Sequence, residues 1–369
     1  MRHLGHTGRM RQPEASATTT VLPTPSLVID EERLDRNIAE MAHFATRTGL
    51  GLRPHIKTHK SLEIARRQVA AGAVGITVAT ISEAQVFAAA GFTDIFIAYP
   101  LWLDDEKAAR LRGVLETTPL LIGVDSANGA ARLAAGTIGL HDRFAVLVEV
   151  DSGHHRSGCS PAHAGIVAAA ASRAGLDVAG VFTFPGHSYA PDRGAAARDE
   201  AAALRAAVSS LAGSGITARI VSGGSTPSAE FADASVLTEI RPGVYVFGDA
   251  QQWELGTMGP ESIALSIRST IVSRQGDRVI ADAGSKVLAA DRGDYSTGFG
   301  RLLDHPDARV TALSEHHATI SALDAEPGTQ IRVVPNHCCV AVNLADEYLV
   351  TRDGEVVATW PVDARGANR

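Results

Sequence analysis

The feature that most restricts how this chain folds is a rhythm. Continuous apolar, β-branched runs recur at 75–79 (GITVA), 95–99 (IFIAY), 120–124 (LLIGV), 144–150 (FAVLVEV), 178–184 (VAGVFTF), 219–221 (RIV) and 236–246 (VLTEIRPGVYV). Between them lie Ala- and Leu-rich helical stretches at 82–90, 104–115, 161–174 and 193–211. Strands that are apolar throughout, rather than on alternate residues, belong to a sheet covered on both faces. With the short run 49–52 that leads into Lys57, the count reaches about eight β/α units over roughly 220 residues, the size of a parallel (β/α)8 barrel. An open, doubly wound sheet uses the same text with another strand order; the barrel is the expected fold.

After Trp253 the rhythm changes. The segments 263–274, 277–284, 308–322, 329–337 and 347–362 read as strands joined by short turns, with almost no helix. The chain is therefore expected to be α/β, a barrel over 30–252 followed by a second, mostly antiparallel β domain over 253–369.

At 369 residues the chain exceeds what one core usually serves. A net charge of −7 without a basic run argues against a nucleic-acid partner, and no apolar stretch is long enough to span a membrane. Residues 1–20 lack the apolar core of a signal peptide and read as a disordered tail. Three cysteines, two of them adjacent (Cys338 and Cys339), make a poor disulfide framework. They suit thiol or metal chemistry in a reducing compartment, and a cytoplasmic protein is expected.

Polar residues collect just after the barrel strands. Lys57 follows the first, in LRPHIKTHK. VDSGHHRSG (150–158) follows the fifth, FPGHSY (184–189) the sixth, SGGSTPS (222–228) the seventh, and RPGVY, Arg241 to Tyr245, belongs to the eighth. In such barrels the active site lies at the carboxyl ends of the strands, and these segments agree on that face. A lysine there loses water and becomes a candidate nucleophile. In SGGSTPS, Gly223 and Gly224 allow close backbone approach and Ser225 and Thr226 add hydroxyls, the makings of a phosphate cradle. A Schiff-base lysine and a phosphate pocket in one mouth suggest pyridoxal phosphate. In PNHCC, His337 and Cys339 stand at i and i+2. On a strand both project from one face while Cys338 turns away, which makes a candidate zinc half-site. A buried cysteine beside a hydrogen-bonded histidine has the same spacing.

The motifs R-P-H-x-K-T-H-K, G-H-S-Y, S-G-G-S-T-P, R-P-G-x-Y-x-F-x-D, D-A-G-S-K, S-E-H-H and P-N-H-x-C resemble the D-serine dehydratase/D-threonine aldolase family. These are fold-type III pyridoxal-phosphate enzymes with an alanine-racemase-like barrel. The motifs run in the family's order from about residue 23 to residue 343. One departure is His316, where the family often has a second acid. The resemblance implies that Lys57 carries the cofactor covalently. It also implies that Gly223, Gly224, Ser225 and Thr226, with backbone at Gly243 and Val244, hold its phosphate. Arg156 resembles the arginine beside the phenolic oxygen, and Tyr189, or else Arg241, the partner of the pyridine nitrogen. His337 and Cys339 look like the metal pair that reaches the substrate's β-hydroxyl. In the family a His-x-Cys pair goes with zinc and dehydration, whereas His-x-Asp goes with cleavage and a harder ion such as manganese, as ligand softness would lead one to expect.

The expected substrate is thus a small β-hydroxy D-amino acid, D-serine or D-threonine, converted to a 2-keto acid and ammonia. D-threonine aldolase-type cleavage to glycine and an aldehyde, with His187 a candidate base, is the alternative. So is the same chemistry, dehydration or cleavage, on D-3-hydroxyaspartate; a non-catalytic carrier of pyridoxal phosphate is the reading from another class. The resemblance further implies that residues 21–29 join the β domain and that a homodimer shares its active sites.

Overall fold

The computed structural model describes residues 22–369; the tail expected over 1–20 lies outside the described residues. The chain enters through β1 (Ser26–Asp30) and α1 (Glu31–Thr48), then builds one parallel sheet. Its strands are β2 (Gly51–Leu52), β3 (Ile76–Val78), β4 (Ile95–Pro100), β5 (Leu120–Val124), β6 (Phe144–Glu149), β7 (Asp177–Phe182), β8 (Ile220–Gly223) and β9 (Glu239–Ile240). The order β2-β9-β8-β7-β6-β5-β4-β3 is that of a barrel. It closes just beyond β2, where the Val74 and Thr77 N–H groups donate to the Leu52 and Pro54 carbonyls at 2.8 Å.

The helices outside this sheet are α2 (Leu62–Ala70), α3 (Ile81–Ala89), α4 (Asp105–Leu115), α5 (Ala127–Gly136), α6 (Ala164–Arg173) and α7 (Arg193–Gly213). Thr80, Asp104, Ser126 and Asp192 start four of them by accepting an amide of the first turn, so each helix begins where the sequence supplies a cap. Strand residues such as Ile76, Ile95, Ile122, Val146 and Val181 pack outward with the helices. Their alternates Phe96, Leu147, Ala179 and Phe182 form a separate cluster that fills the barrel interior.

The run 236–246, read as one strand, is cut to the two residues of β9. Pro242 cannot donate to the ladder, and the chain turns into a single 3-10 turn over Val244–Val246.

Beyond α8 (Ala250–Glu254) come β10 (Leu265–Gln275), β11 (Arg278–Ala281), α9 (Ser285–Leu288), β12 (Gly300–Leu302), β13 (Arg309–Leu313), β14 (Ala318–Ser321), β15 (Gln330–Pro335), α10 (Cys338–Leu344), β16 (Glu347–Arg352) and β17 (Glu355–Pro361). The strands make a mostly antiparallel nine-stranded sheet that curls on itself, because β11 pairs with both β14 and β10. β1 is inserted between β10 and β16, which ties the start of the described chain into the second domain. Among the described residues no helix is long and apolar enough to cross a membrane.

Candidate active site

The loops at the carboxyl ends of the barrel strands and the facing edge of the β domain enclose a cavity of about 880 Å³. Lys57, Arg156, Tyr189, Gly224, Ser225, Thr226, Arg241, Gly243, Val244, His337 and Cys339 all line it. His187, Gly223 and Tyr245 do not.

Lys57 sits on a one-turn 3-10 helix, Ile56–Thr58, immediately after β2. The turn is held by His55 N–H donating to the Pro242 carbonyl at 3.0 Å and by Ile56, which is fully buried. Among the described residues no hydrogen bond or ion pair takes the Lys57 ammonium; its nitrogen lies 5.7 Å from the centre of the Phe184 ring. The Arg156 guanidinium lies 5.0 Å from the same ring and 4.0 Å from Glu149. Deeper in the barrel, Arg241 is packed between Phe96 and Phe182 and donates to the Ser222 hydroxyl and to the Thr183 carbonyl at 2.5 Å. Burial lowers its pKa to about 10 against the pull of nearby glutamates. Lys57, Arg156, Arg241 and Arg292 together outnumber Asp291 and Asp294 on the cavity wall, so the cavity suits anions.

The phosphate loop divides its amides. Gly224 N–H donates to Glu200 at 2.6 Å and Ser225 N–H to the Ser228 hydroxyl at 3.1 Å, so neither points at the cavity. The amides of Thr226, Gly243 and Val244 meet no acceptor among the described residues, and all three residues line the cavity. Gly243 is needed because a Cβ there would lie 2.6 Å from the Thr58 hydroxyl and 2.9 Å from the His55 carbonyl. Three such amides on the wall of one electropositive mouth fit a phosphate, and a lysine without a partner in the same mouth fits a phosphorylated carbonyl cofactor. Tyr245 supports the cradle from behind. Its N–H donates to Thr226 Oγ1 at 3.1 Å while its buried phenol meets Gln68.

His337 and Cys339 do not lie on one strand. β15 ends at Pro335, His337 is the N-cap of α10 and Cys339 is in the first turn of that helix. The side chains still converge, because Asp249, fully buried, accepts both His337 Nδ1 and the Cys338 N–H at 3.2 Å and so sets the helix start against the cavity. Cys338 turns into the core of the β domain. Burial works against the His337 imidazolium, but the Cys339 sulfur and the Asp249 carboxylate hold its pKa well above the usual range. A hydrogen bond from Cys338 and the His337 charge hold the Cys339 thiol well below its usual value. With Nδ1 committed to Asp249 and a further hydrogen bond to the Cys339 sulfur, the His337 ring is oriented by a carboxylate as metal-binding histidines are. Among the described residues no third His, Cys, Asp or Glu completes a cluster. Imidazole and thiolate therefore fit zinc as a half-site whose other positions are open.

His187, the candidate base, points elsewhere, with Nε2 3.5 Å from Asp199 on α7. Of the two histidines on the loops after β6 and β7, His154 is the one that lines the cavity, its ring edge-on to Phe184 at 5.6 Å between centres. Gly186 makes room for it, since a Cβ there would lie 2.5 Å from the imidazole. Tyr189 reaches the cavity, with burial pushing its phenol well above the usual range. His55, half-buried in the cavity wall with no partner for its buried Nδ1, has its pKa held well below the usual range by desolvation of the ring and by the charges of Lys57 and Arg241. His55, His154 and Asp249 had no role in the sequence reading, although each lies in or beside a quoted motif.

Taken with the curled sheet that claims β1, the closed parallel barrel defines an alanine-racemase-like fold. Residues 29–251 match the family described as alanine racemase, N-terminal domain, and residues 264–351 the putative serine dehydratase domain. D-threo-3-hydroxyaspartate dehydratase of Delftia sp. strain HT23 is 34% identical over 93% of this chain and 98% of its own. D-threonine aldolase of Arthrobacter sp. is 35% identical over 94% and 93%. The crystal structure of D-threonine aldolase from Filomicrobium marinum superposes with a TM-score of 0.85 at 29% identity, covering 94% of this chain and 97% of that one. A Cys-to-Ala mutant of D-threo-3-hydroxyaspartate dehydratase in its metal-free form superposes at 0.84 and 33% identity, covering 92% of this chain and 97% of that one. The chain belongs to the D-serine dehydratase/D-threonine aldolase family of pyridoxal-phosphate-dependent lyases.

Proposed function

We propose that this protein is a zinc-assisted, pyridoxal-phosphate-dependent lyase that removes water from a β-hydroxy D-amino acid, giving a 2-keto acid and ammonia. The observation that carries the reading is the convergence of His337 and Cys339 on the cavity that also holds Lys57, with Asp249 orienting the histidine. When bound, the cofactor supplies an electron sink for charge developing at the substrate Cα, and zinc a Lewis acid for the departing β-hydroxyl. Lys57 would hold the cofactor, and its amine would serve as the base for the Cα proton. The free amides of Thr226, Gly243 and Val244 hold the phosphate, while Arg156 and Phe184 fix one side of the cavity beside Lys57. Tyr189 and Arg241 are the candidate partners of the pyridine nitrogen. His337 and Cys339 bind the metal and leave its remaining positions to substrate and water.

Two observations support the neighbouring readings. His154 in the cavity is a base suited to a β-hydroxyl proton, as cleavage to glycine and an aldehyde requires. Arg292, also in the cavity and without a carboxylate partner among the described residues, suits a second substrate carboxylate, as in 3-hydroxyaspartate. A homodimer that shares its mouths is part of the proposal and agrees with the exposed Tyr99 on the cavity wall. The test is Lys57→Ala, with turnover of β-hydroxy D-amino acids expected to fall by at least about a thousandfold, the scale on which loss of a covalent and proton-transfer group acts. Full turnover in that variant sinks the proposal.

A further inference from the structure

Glu200 has no part in the reaction just described, yet its carboxyl takes the Gly224 amide of the phosphate loop. It projects from the middle of α7, where Ala196, Ala197, Ala201 and Leu204 are its buried neighbours. Its carboxyl is 1% exposed and makes one hydrogen bond among the described residues, from the Gly224 N–H at 2.6 Å. The space is shaped for it: a Cβ on Gly223 would run into the Glu200 carboxyl and lie 2.6 Å from Leu237. Burial pushes Glu200 up to about 7, opposed by the Gly224 amide and by Arg241.

A buried carboxyl with a single donor is an expensive way to fill a gap that a methionine would fill without desolvation. What it does here is local and directional. Gly224 has φ +76, and Glu200 takes its amide inward, away from the cavity. Fixing that peptide fixes the plane from which the chain runs on to Thr226, a cavity-lining residue whose own amide meets no acceptor among the described residues. We propose that Glu200 is a positioning residue for the cofactor phosphate: by anchoring the Gly224 amide it aims the phosphate loop, so that it governs phosphate recognition and leaves attachment at Lys57 alone. The proposal rests on the pyridoxal-phosphate reading.

The test compares two ligands on the apoprotein, pyridoxal phosphate and its phosphate-free analogue pyridoxal, titrated by visible absorbance and by quenching of tryptophan fluorescence. In Glu200→Met the affinity for pyridoxal phosphate is expected to fall about tenfold or more, the effect of one lost buried hydrogen bond. Pyridoxal is expected to change by less than about twofold, because it makes no call on the loop. Glu200→Gln, which keeps an acceptor for Gly224, is expected to restore binding of the phosphorylated ligand. Equal weakening of both ligands, or unchanged affinity for pyridoxal phosphate, overturns the proposal. Should Glu200→Met be recovered unfolded, Gly224→Ala, which strains the same peptide, is read by the same ratio with the same two outcomes. Wild-type protein that binds neither ligand refutes the cofactor reading itself, which separates the two failures.

Discussion

Replacing Arg53 with Met removes a buried cation that stands between the interior carboxylate of Glu239 and the half-exposed one of Asp94. Its Nε donates to both oxygens of Glu239, at 3.1 and 3.0 Å, and its terminal nitrogens reach Asp94. The Ser222 hydroxyl donates to the same Glu239 at 2.6 Å and accepts from Arg241. A single line of bonds thus runs from Asp94 at the surface to the arginine in the cavity. Arg53 and Glu239 have side chains only 5% and 6% exposed, whereas Asp94 is 49% exposed. Almost all of the cost of the substitution therefore falls on Glu239, left in the interior with one hydroxyl. Breaking a buried pair from one side costs about 3–5 kcal/mol, and losing the half-exposed Asp94 contact adds about 1 kcal/mol at most. In Arg53→Met the stranded Glu239 carboxyl is expected to hold its proton, so the deficit shrinks on acidification. Removing Glu239 as well, in Arg53→Met with Glu239→Met, is expected to return stability to within about 2 kcal/mol of the parent. Urea unfolding at pH 5 and pH 8, followed by tryptophan fluorescence and far-UV circular dichroism, measures all three proteins. A loss below about 1 kcal/mol in the single variant refutes the reasoning. So does a double variant no more stable than the single one.

Asp249→Asn leaves the shape of the site but gives His337 Nδ1 a poorer partner, so zinc affinity is expected to fall about 10- to 100-fold, read by competition with a chelator. Glu200 predicts a pH dependence of stability. Its pKa is raised from the 4.5 of a free carboxyl to about 7, so the folded state binds more protons and its contribution is fully present below pH 4.5 and lost as pH rises through 7. That loss is about 3 kcal/mol across the window, and Glu200→Gln is expected to remove it, flattening the profile of unfolding free energy between pH 4.5 and 7.

The barrel was legible because a doubly covered parallel strand must be apolar on both faces, and the runs 95–99, 120–124 and 144–150 became β4, β5 and β6 almost unchanged. The polar loops after β2, β6, β7 and β8 were legible for the same topological reason. α10 was not. Its sequence, CCVAVNL, is a short β-branched apolar run that periodicity cannot tell from a strand. What decides it is an Asp249 carboxylate some ninety residues earlier, which takes the Cys338 amide. The choice between His154 and His187 was equally hidden, since both stand on loops at the same end of the barrel. Packing of Gly186 against the His154 ring settles which of them faces the cavity. Glu200 reads in the sequence as a surface charge on an alanine-rich helix, and only the turn of the phosphate loop onto α7 buries it.

The central claim is that the His337–Cys339 pair directs the chemistry to loss of water. The most direct test is product analysis with D-serine, D-threonine and D-3-hydroxyaspartate, on protein as purified, after chelation and after zinc is restored. A 2-keto acid and ammonia are expected, disappearing with the chelator and returning with zinc. Glycine and an aldehyde in place of the keto acid would contradict it.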